Sequence, residues 1–442
     1  RLGGANFLKV VNRPLGGKIE FTYEQQNPSV QDPNPRWILD SFELKHADKY
    51  PTDFVTTSIK QDFEYREPYY DRIEKEFMGF KTVRTIRADD TVIESVYNNR
   101  DYRLQGTKKI TRVLESIEDR GTGKITEVIL QEKEEKIALK RRYDTDTIDL
   151  ERDKCLAALH YPIKQLANET AKAAGLTPCD VWFAKPTQSI TRWFEGKNQA
   201  IETAVIYEDY DQYGNIAQIR DTQNADNPKD DLLATINYDA QPDLVSKYIV
   251  NRATSIDVVD TEGNKLRYRS GSYDSKGNLK HHEVWATADG NKKSTLDLDY
   301  NDTGFLTKIT DTNDFSVTYT PDNVLQMLAK STKDSLGLES SADYDYRWQT
   351  AISEKDINGQ QVKTEFDQFG RLSAVSGAYE LEANKDSLQI TYAIPLNKTW
   401  PAYAISTNLA VHPETGKEHT KIQTSLFIDG LGRNFQTQVD AE

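Results

Sequence analysis

Histidines and carboxylates are the residues of this sequence that could hold a metal ion or carry acid–base catalysis. His281, His282 and Glu283 are consecutive. Because adjacent residues of a β-strand point to opposite faces, these two imidazoles cannot easily bind one ion. His412 and His419 lie in a loop that contains proline and glycine, with no third ligand at the spacing of a known metal motif. The sequence therefore predicts no metal centre.

Paired acids are the other candidates for chemistry. Asp89 and Asp90 are adjacent, and Asp209 lies close to Asp211, in segments that read as turns, where aspartate is common. A glycosidase needs two carboxylates that face each other across a cleft, which sequence spacing cannot establish. The sequence has no nucleophile elbow, phosphate-binding loop, dinucleotide-binding glycine motif or zinc-protease motif. We therefore expect a protein that is not an enzyme and uses no cofactor.

The composition indicates many strands with little burial per residue. The 442 residues carry 56 Lys and Arg against 70 Asp and Glu, a net charge of −14. Hydrophobic residues make up 37%, and because Gly and Tyr both number 23, counting Gly in place of Tyr gives the same fraction. Ordinary domains reach roughly 45–50% on that second count. The acidic balance argues against a nucleic-acid partner, and no apolar run approaches the ~18 residues of a membrane span.

The N-terminal part reads as strands joined by turns. Residues 18–23 alternate with a period of two after the turn signal Gly16-Gly17, and residues 54–57 and 77–83 are further strand candidates. Two short strands within 108–128 flank a hairpin turn at 119–123. The charge run 132–142 is interpreted as a solvated strand or linker edge.

The sequence pattern changes at about residue 143. Residues 163–175 are rich in alanine, have apolar positions at helical spacing and end at Gly175, which suits a helix C-cap. This segment is predicted to be a helix. Cys155 and Cys179 lie on either side of it. They form either one disulfide that staples a helical insertion onto a β scaffold or two free thiols.

A hairpin motif recurs from residue 205 onward. Its template is an aromatic residue, Asp or Asn, two variable residues, Gly, one variable residue and an aliphatic residue. Asp or Asn opens the turn by bonding its own backbone, and Gly accepts the positive φ that closes it. The clear copies are Tyr210-Asp211 with Gly214, Tyr273-Asp274 with Gly277, Tyr300-Asn301 with Gly304, and Phe366-Asp367 with Gly370.

Degraded copies support the template. Tyr319 is followed by Asn323 at the glycine position, and Tyr238 by Pro242, which must reshape its turn. The shortest steps, from residue 300 to 319 and from 346 to 366, correspond to one hairpin per repeat. A period of about 20 residues is typical of a stacked array. Such an array buries the apolar face of each unit against its neighbours and leaves the other faces exposed to solvent.

These repeats resemble the YD (RHS) repeats of bacterial polymorphic toxins, ABC-type insecticidal toxin complexes and the teneurin shell. Residues 69–80 resemble the "YYDG-x-EREFRGF" signature in the middle region of the B component of those complexes, with Arg72 in place of the usual glycine. Residues 15–23 resemble the opening strand of that region, and 193–215 its junction with the repeats. The segment 427–437, which contains Asp429, Gly430, Gly432 and Arg433, is similar to the "DGLGR" segment of the family.

The resemblance implies an all-β fold: a long antiparallel sheet of stacked hairpins that curls into a hollow shell, interrupted here by one short helical insertion. Residues 1–142 would form the middle-region-like segment, 143–180 the insertion and 181–442 the repeat segment. The family shell is secreted by bacteria and holds a C-terminal toxic polypeptide. The implied partners are the remaining shell segments, the encapsulated effector and a delivery or translocation component.

The leading functional hypothesis is a structural shell segment that encapsulates a C-terminal effector, cut from a longer protein at both ends. The alternative is an extracellular, wall-associated adhesion protein whose repeats present a binding surface without cargo. A polysaccharide-active enzyme is the third hypothesis, and it would need carboxylates clustered in a groove.

Overall fold

The computed structural model describes residues 7–15, 17–45, 58–72, 74–118, 125–141, 182–195, 197–286, 290–394, 401–410 and 421–440. Several predictions from sequence lie outside these residues. They are the strand at 54–57, the turn at 119–123, the helix at 163–175, Cys155 and Cys179, and His412 and His419.

Nearly all regular structure in the described part of the chain is β-strand. The strands are β1 Val10–Asn12, β2 Lys18–Gln26, β3 Arg36–Lys45, β4 Ile59–Asp71, β5 Glu76–Ile86, β6 Val92–Tyr97, β7 Lys108–Glu118, β8 Ile125–Arg141, β9 Trp182–Trp193, β10 Ile201–Tyr210, β11 Ile216–Thr222, β12 Leu232–Tyr238, β13 Ala253–Val259, β14 Lys265–Tyr273, β15 Leu279–Trp285, β16 Lys293–Tyr300, β17 Leu306–Asp311, β18 Ser316–Pro321, β19 Ala329–Asp334, β20 Glu339–Asp345, β21 Thr350–Lys355, β22 Gln361–Phe366, β23 Leu372–Ser376, β24 Leu388–Ala393, β25 Ala402–Leu409, β26 Lys421–Ile428 and β27 Asn434–Val439. Two short α-helices are described, α1 Pro242–Ser246 and α2 Ala378–Glu382. Neither is long and apolar enough to cross a membrane.

The chain forms two compact units. One contains residues 1–24, 37–61 and 269–442, and the other contains 25–36 and 62–268. In the second unit, each strand from β4 to β13 pairs antiparallel with the next along the chain. In the first, β14 to β27 do the same, and β1 pairs with β2. The predicted all-β class and antiparallel hairpin order are confirmed.

Full burial is sparse, as the low apolar content predicts. The buried hydrophobic side chains of the described residues are Met78, Val92, Leu114, Ile190, Ala204, Leu244, Val250, Ala374 and Ala402. Most other strand residues are half-buried. An antiparallel sheet with one face against apolar neighbours and the other in water needs few fully buried residues.

On strands β16 to β18, one side of the sheet carries mainly aliphatic residues and the other mainly charged and hydroxyl residues. The strand pairing continues both sides to β22. Leu298, Ile309 and Val317 are directly opposite one another on β16, β17 and β18. The adjacent positions, Asp299 and Lys308 among them, are also paired and point to the other side of the sheet. We call these two sides the apolar face and the polar face. The regular pleat thus sorts β16 to β18 into two chemically different surfaces.

Candidate functional site

The hairpin turn at residues 211–215 shows why the repeat requires its aspartate and glycine. The Asp211 Oδ1 atom accepts hydrogen bonds from the backbone N–H groups of Tyr213 and Asn215, at 2.9 and 2.8 Å. The Asp211 N–H donates to the Asn215 carbonyl, and the Gly214 N–H donates to the Asp211 carbonyl. Gly214 has a φ of 88°, a conformation that strains residues with a Cβ. Each invariant position of the template therefore has a defined bond or dihedral angle.

The same bonding pattern occurs at nine described turns. Five follow the template or the Asp-Gly-Leu-Gly-Arg segment, at 211–215, 274–278, 301–305, 367–371 and 429–433. Four were missed, at 260–264, 311–315, 334–338 and 356–360. No aromatic residue precedes these four, although three keep the glycine and Asp314 adopts a φ of 62° in the fourth. Asp or Asn with Gly three positions later, without the aromatic, would have found those three.

The aromatic residue marks one of two kinds of turn. A register shift precedes the turns after Tyr210, Tyr273, Tyr300 and Phe366, so these aromatics belong to β-bulges. No register shift is present beside the turns at 311–315, 334–338 and 356–360. Because consecutive turns of a meander lie at opposite ends of the strands, bulged and regular turns alternate between the two edges of β16–β22.

Tyrosines of the repeats also tie neighbouring hairpins together. The Tyr344 hydroxyl donates to the carbonyl of Ala329, at 2.8 Å, and Tyr238 donates in the same way to Ile216. Each acceptor is the first residue of the strand that follows the preceding bulged turn. Tyr210 donates to Pro186, and burial raises the pKa of Tyr210 to about 12. Such hydroxyls remain protonated donors throughout the physiological range of pH.

The degraded copy at 319–325 folds differently from its prediction. The turn aspartate is Asp322, not the residue after Tyr319, and the positive φ lies at Gln326 rather than at Asn323. Burial opposes ionisation of Asp322. Four backbone N–H groups, from residues 324, 325, 327 and 328, nevertheless hold the pKa of its carboxyl far below the ordinary value. Pro321 ends β18 and forces this longer loop.

The other degraded copy turns into a helix. Asp239 accepts the backbone N–H of Gln241 at 2.9 Å, as in the regular turns, but α1 begins at Pro242. Proline suits the first position of a helix because its missing N–H would have no partner there. The predicted reshaping of this turn by proline is therefore seen as a helical start.

The segment 69–80 forms the β4–β5 hairpin. The buried Asn99 amide donates to the carbonyls of Glu67 and Gly79, at 3.0 and 3.1 Å, and thereby spans the hairpin. Both accepting residues have positive φ. Arg72, which replaces the usual glycine of the signature, donates to the carbonyl of Val30. This departure from the signature therefore joins the hairpin to the loop before β3.

The motifs at the two ends of the sequence meet in one unit. A Cβ on Gly17 would lie 2.2 Å from the Gly430 carbonyl oxygen, so only glycine fits at residue 17. Arg13 donates to the Leu431 carbonyl at 3.1 Å. Arg433 donates to the buried Asp429 carboxylate at 2.7 Å, within the turn that closes at Gly432. The opening turn therefore packs on the Asp-Gly-Leu-Gly-Arg turn.

A ladder of alternating charges crosses the sheet of the other unit. Its members are directly opposite one another on seven successive strands, β4 to β10: Glu64, Arg84, Glu94, Arg112, Glu132, Arg192 and Glu202. Arg112 binds Glu94 and Glu132 at 2.8 and 2.7 Å, and Arg192 binds Glu132 and Glu202 at 2.8 Å each. Arg84 contacts Glu64 at 3.2 Å and Glu94 at 3.6 Å. We call this row the charge ladder.

The charge ladder lies in a partly apolar environment. Buried Val92, Leu114 and Ile190 are on the same side of the sheet, two positions from ladder residues in β6, β7 and β9. Burial opposes ionisation of Glu132, but hydrogen bonds from Arg112 and Arg192 hold the pKa of its carboxyl below the ordinary value. The sequence interpretation of 132–142 as a solvated edge was wrong for Glu132, because β8 pairs with both β7 and β9.

The histidines and aspartates first considered for metal binding or catalysis make contacts within the strands and turns. His281 pairs with Asp297, with 2.7 Å between Nδ1 and Oδ1, while His282 is opposite Leu296 on the other face. Asp89 caps its own turn through the backbone N–H of Thr91. Within the described ranges, no three His, Cys, Asp or Glu side chains are grouped so that they could hold a metal ion.

Comparison with known proteins finds one family region. Residues 2–109 match the family described as "Insecticide toxin TcdB middle/N-terminal region". No curated protein matches the chain. The matched region contains both N-terminal motifs discussed above, the glycine turn and the 69–80 hairpin.

Solved toxin-complex structures share the fold. The crystal structure of TcdB2-TccC3 gives a TM-score of 0.71 at 12% identity and covers 98% of this chain and 29% of that one. The same complex without its hypervariable C-terminal region gives 0.70 at 12%, with 97% and 31% covered. A Tc holotoxin pore from Photorhabdus luminescens gives 0.71 at 11%, with 99% and 31% covered. The chain spans less than a third of each, and its resemblance to the B component of toxin complexes is confirmed.

Proposed function

We propose that this chain is a structural, non-enzymatic segment of a toxin-complex shell that encapsulates a C-terminal effector polypeptide. The observation that supports it most is the shared fold, which extends over 98% of the chain and is not confined to the matched N-terminal region. A single hairpin motif, even if repeated, would match many β proteins over the length of one hairpin only. Agreement over the whole length supports a common architecture.

The geometry of the turns and the contacts between strands suit an extended sheet that forms the wall of a shell. Eight of the nine turns with this bonding pattern are closed by their own aspartate and the ninth by Asn301, so their conformation does not depend on a partner. Tyrosine hydroxyls link hairpins in sequence order, and the charge ladder links seven strands. These contacts join neighbouring strands or hairpins and are repeated along the sheet, which lets the sheet extend without a thick core.

The further shell segments, the effector and a delivery component are proposed partners, and secretion from a bacterium is the proposed location. All four come from the similarity to toxin complexes, whose solved structures include TcdB2-TccC3 and a holotoxin pore.

A second candidate is a cargo-free surface protein that presents its repeats to a ligand. The observation that favours it is a set of exposed apolar side chains on the bulged turns, with Val324, Met327 and Phe369 at 67%, 70% and 64% exposure. Exposed apolar groups of this kind mark interaction sites when they are contiguous.

Limited proteolysis of the full-length protein expressed from its gene separates the two candidates. If the shell encloses an effector, trypsin cleaves the polypeptide that follows the repeats at least tenfold more slowly than the same polypeptide expressed alone. Protection should disappear in denaturant that opens the sheet. Equal cleavage rates for the enclosed and the isolated polypeptide would contradict the proposal and favour the surface protein.

A further inference from the structure

The apolar face of β16–β22 carries a groove where helix α2 lies against β22 and β23. The groove has a volume of about 630 Å³, within the range of roughly 300–1,000 Å³ that is usual for binding sites. Its floor consists of short side chains of the apolar face, Thr332, Ser340 and Ala342, together with Val362. One wall is the first turn of α2, which includes Tyr379.

Apolar side chains at this groove remain accessible. Val362 is 36% exposed and Tyr379 is 55% exposed. Further along the same face, Leu296 is 37% exposed. On the polar face of β22, by contrast, Gln361, Lys363 and Glu365 alternate with these positions. The two faces of one strand therefore offer a matched pair of surfaces, one that can bury apolar groups and one that cannot.

Acidic side chains outnumber basic ones in the lining of the groove, with Glu354, Asp356 and Glu380 against Lys355. Glu354 lies opposite Val362 on the floor, and Glu380 lies on α2. Lysine or arginine in an occupant would find its counter-charge here, next to the apolar Val362 and Tyr379.

The groove favours an irregular occupant over a folded partner. Its floor of small side chains leaves room for the side chains of an extended strand, and only Tyr379 among its lining could serve as a large exposed anchor of the kind that stable interfaces concentrate. Neighbouring strands repeat every ~4.8 Å, so a segment can sit in more than one register. Such a surface therefore tolerates segments of different sequence.

We infer that this groove binds an extended, non-native polypeptide segment that places an apolar side chain beside a basic one. The inference rests on the proposed function, since an enclosed effector would supply such a segment. It assigns the effector-facing side of β16–β22 to the apolar face and names the residues that would touch the cargo.

Fluorescence anisotropy with a labelled, unstructured 15-residue peptide of Gly, Ser, Leu and Lys tests the inference on the full chain. We expect saturable binding that weakens when every Leu is replaced by Ser or every Lys by Glu. The variant Val362→Ser/Tyr379→Ser should bind about tenfold more weakly, because 1.4 kcal/mol of lost apolar burial corresponds to a factor of ten. Glu354→Gln/Glu380→Gln should lose about threefold, and high salt should remove this difference.

Lys363→Gln, on the polar face of the same strand, is the matched control and should leave binding unchanged. A photo-reactive benzoyl-phenylalanine in place of one peptide Leu should crosslink within 340–362 of the unaltered chain, which tests the site even if a variant unfolds. Absence of binding, equal loss in the control or crosslinks elsewhere would overturn the inference. Self-association of the chain that blocks the peptide would instead identify a second copy as the occupant and also overturn it.

Failure here is distinguishable from failure of the proposed function. A protease-protected effector together with a groove that binds no peptide would refute only the assigned cargo contact. A groove that binds peptide in a protein whose downstream polypeptide is freely cleaved would refute encapsulation and leave the binding site standing.

Discussion

Replacing Arg84 by methionine tests whether the charge ladder stabilises its sheet. The Arg84 side chain is 9% exposed and contacts Glu64, Glu94 and Glu127, of which Glu94 is the most buried, at 18% exposure. The pairs with Glu64 and Glu127, each 40% exposed, should contribute about 0.5 kcal/mol each. Leaving Glu94 with one cation fewer should cost about 1–2 kcal/mol more. The expected total is about 2–3 kcal/mol, or roughly a 30- to 150-fold larger opening constant.

Hydrogen exchange with mass spectrometry measures that opening constant for peptides from β5, β6 and β7. Arg66→Met is the matched control, because Arg66 is 54% exposed and its guanidinium pairs with Glu64, which is itself 40% exposed. This substitution should change the free energy of opening by less than about 0.5 kcal/mol. If Arg84→Met accelerates exchange no more than Arg66→Met does, the ladder does not stabilise the sheet.

Three further predictions concern separate contacts. The pKa of the Glu132 carboxyl is lowered in the fold, so its ionised form stabilises the fold above the unfolded-state pKa, near 4.5. Protection of β7–β9 from hydrogen exchange should therefore persist from pH 7 to 5 and fall only as the pH drops below about 4. Tyr344→Phe should reduce stability by about 1 kcal/mol in urea unfolding, through the lost bond to the Ala329 carbonyl, whereas Tyr346→Phe, at an exposed turn position, should not. Gly17→Ala should deprotect β1 and β2 in hydrogen exchange because its Cβ meets the Gly430 carbonyl, and unchanged protection would refute that close contact.

The repeat turns were the part of the fold most accessible from sequence, since each is determined within five residues. Asp274 and Gly277 form their turn through bonds to the local backbone, so the pattern is visible without any tertiary information. The template nevertheless required an aromatic residue, and it therefore missed turns such as 356–360. The aromatic belongs to the β-bulge and to contacts with the preceding hairpin, which are tertiary features.

The charge ladder could not be predicted because register alone creates it. Glu94 and Arg112 are 18 residues apart, and Glu132 and Arg192 are 60 apart. Nothing in either local sequence distinguishes these residues from other surface charges until the strands are aligned. The groove beside α2 was missed for the same reason, because Val362 and Tyr379 meet only after β23 reverses the chain. The helix at 163–175 stays a prediction, and the disulfide and the two free thiols stay alternatives for Cys155 and Cys179.

An electron cryo-microscopy map of the full-length protein expressed from its gene tests the central claim most directly. A shell segment predicts a continuous β wall around a closed interior, with residues 205–440 in that wall, the apolar face of β16–β22 turned inward and density for polypeptide inside. A solid or open array of hairpins with nothing enclosed would contradict it.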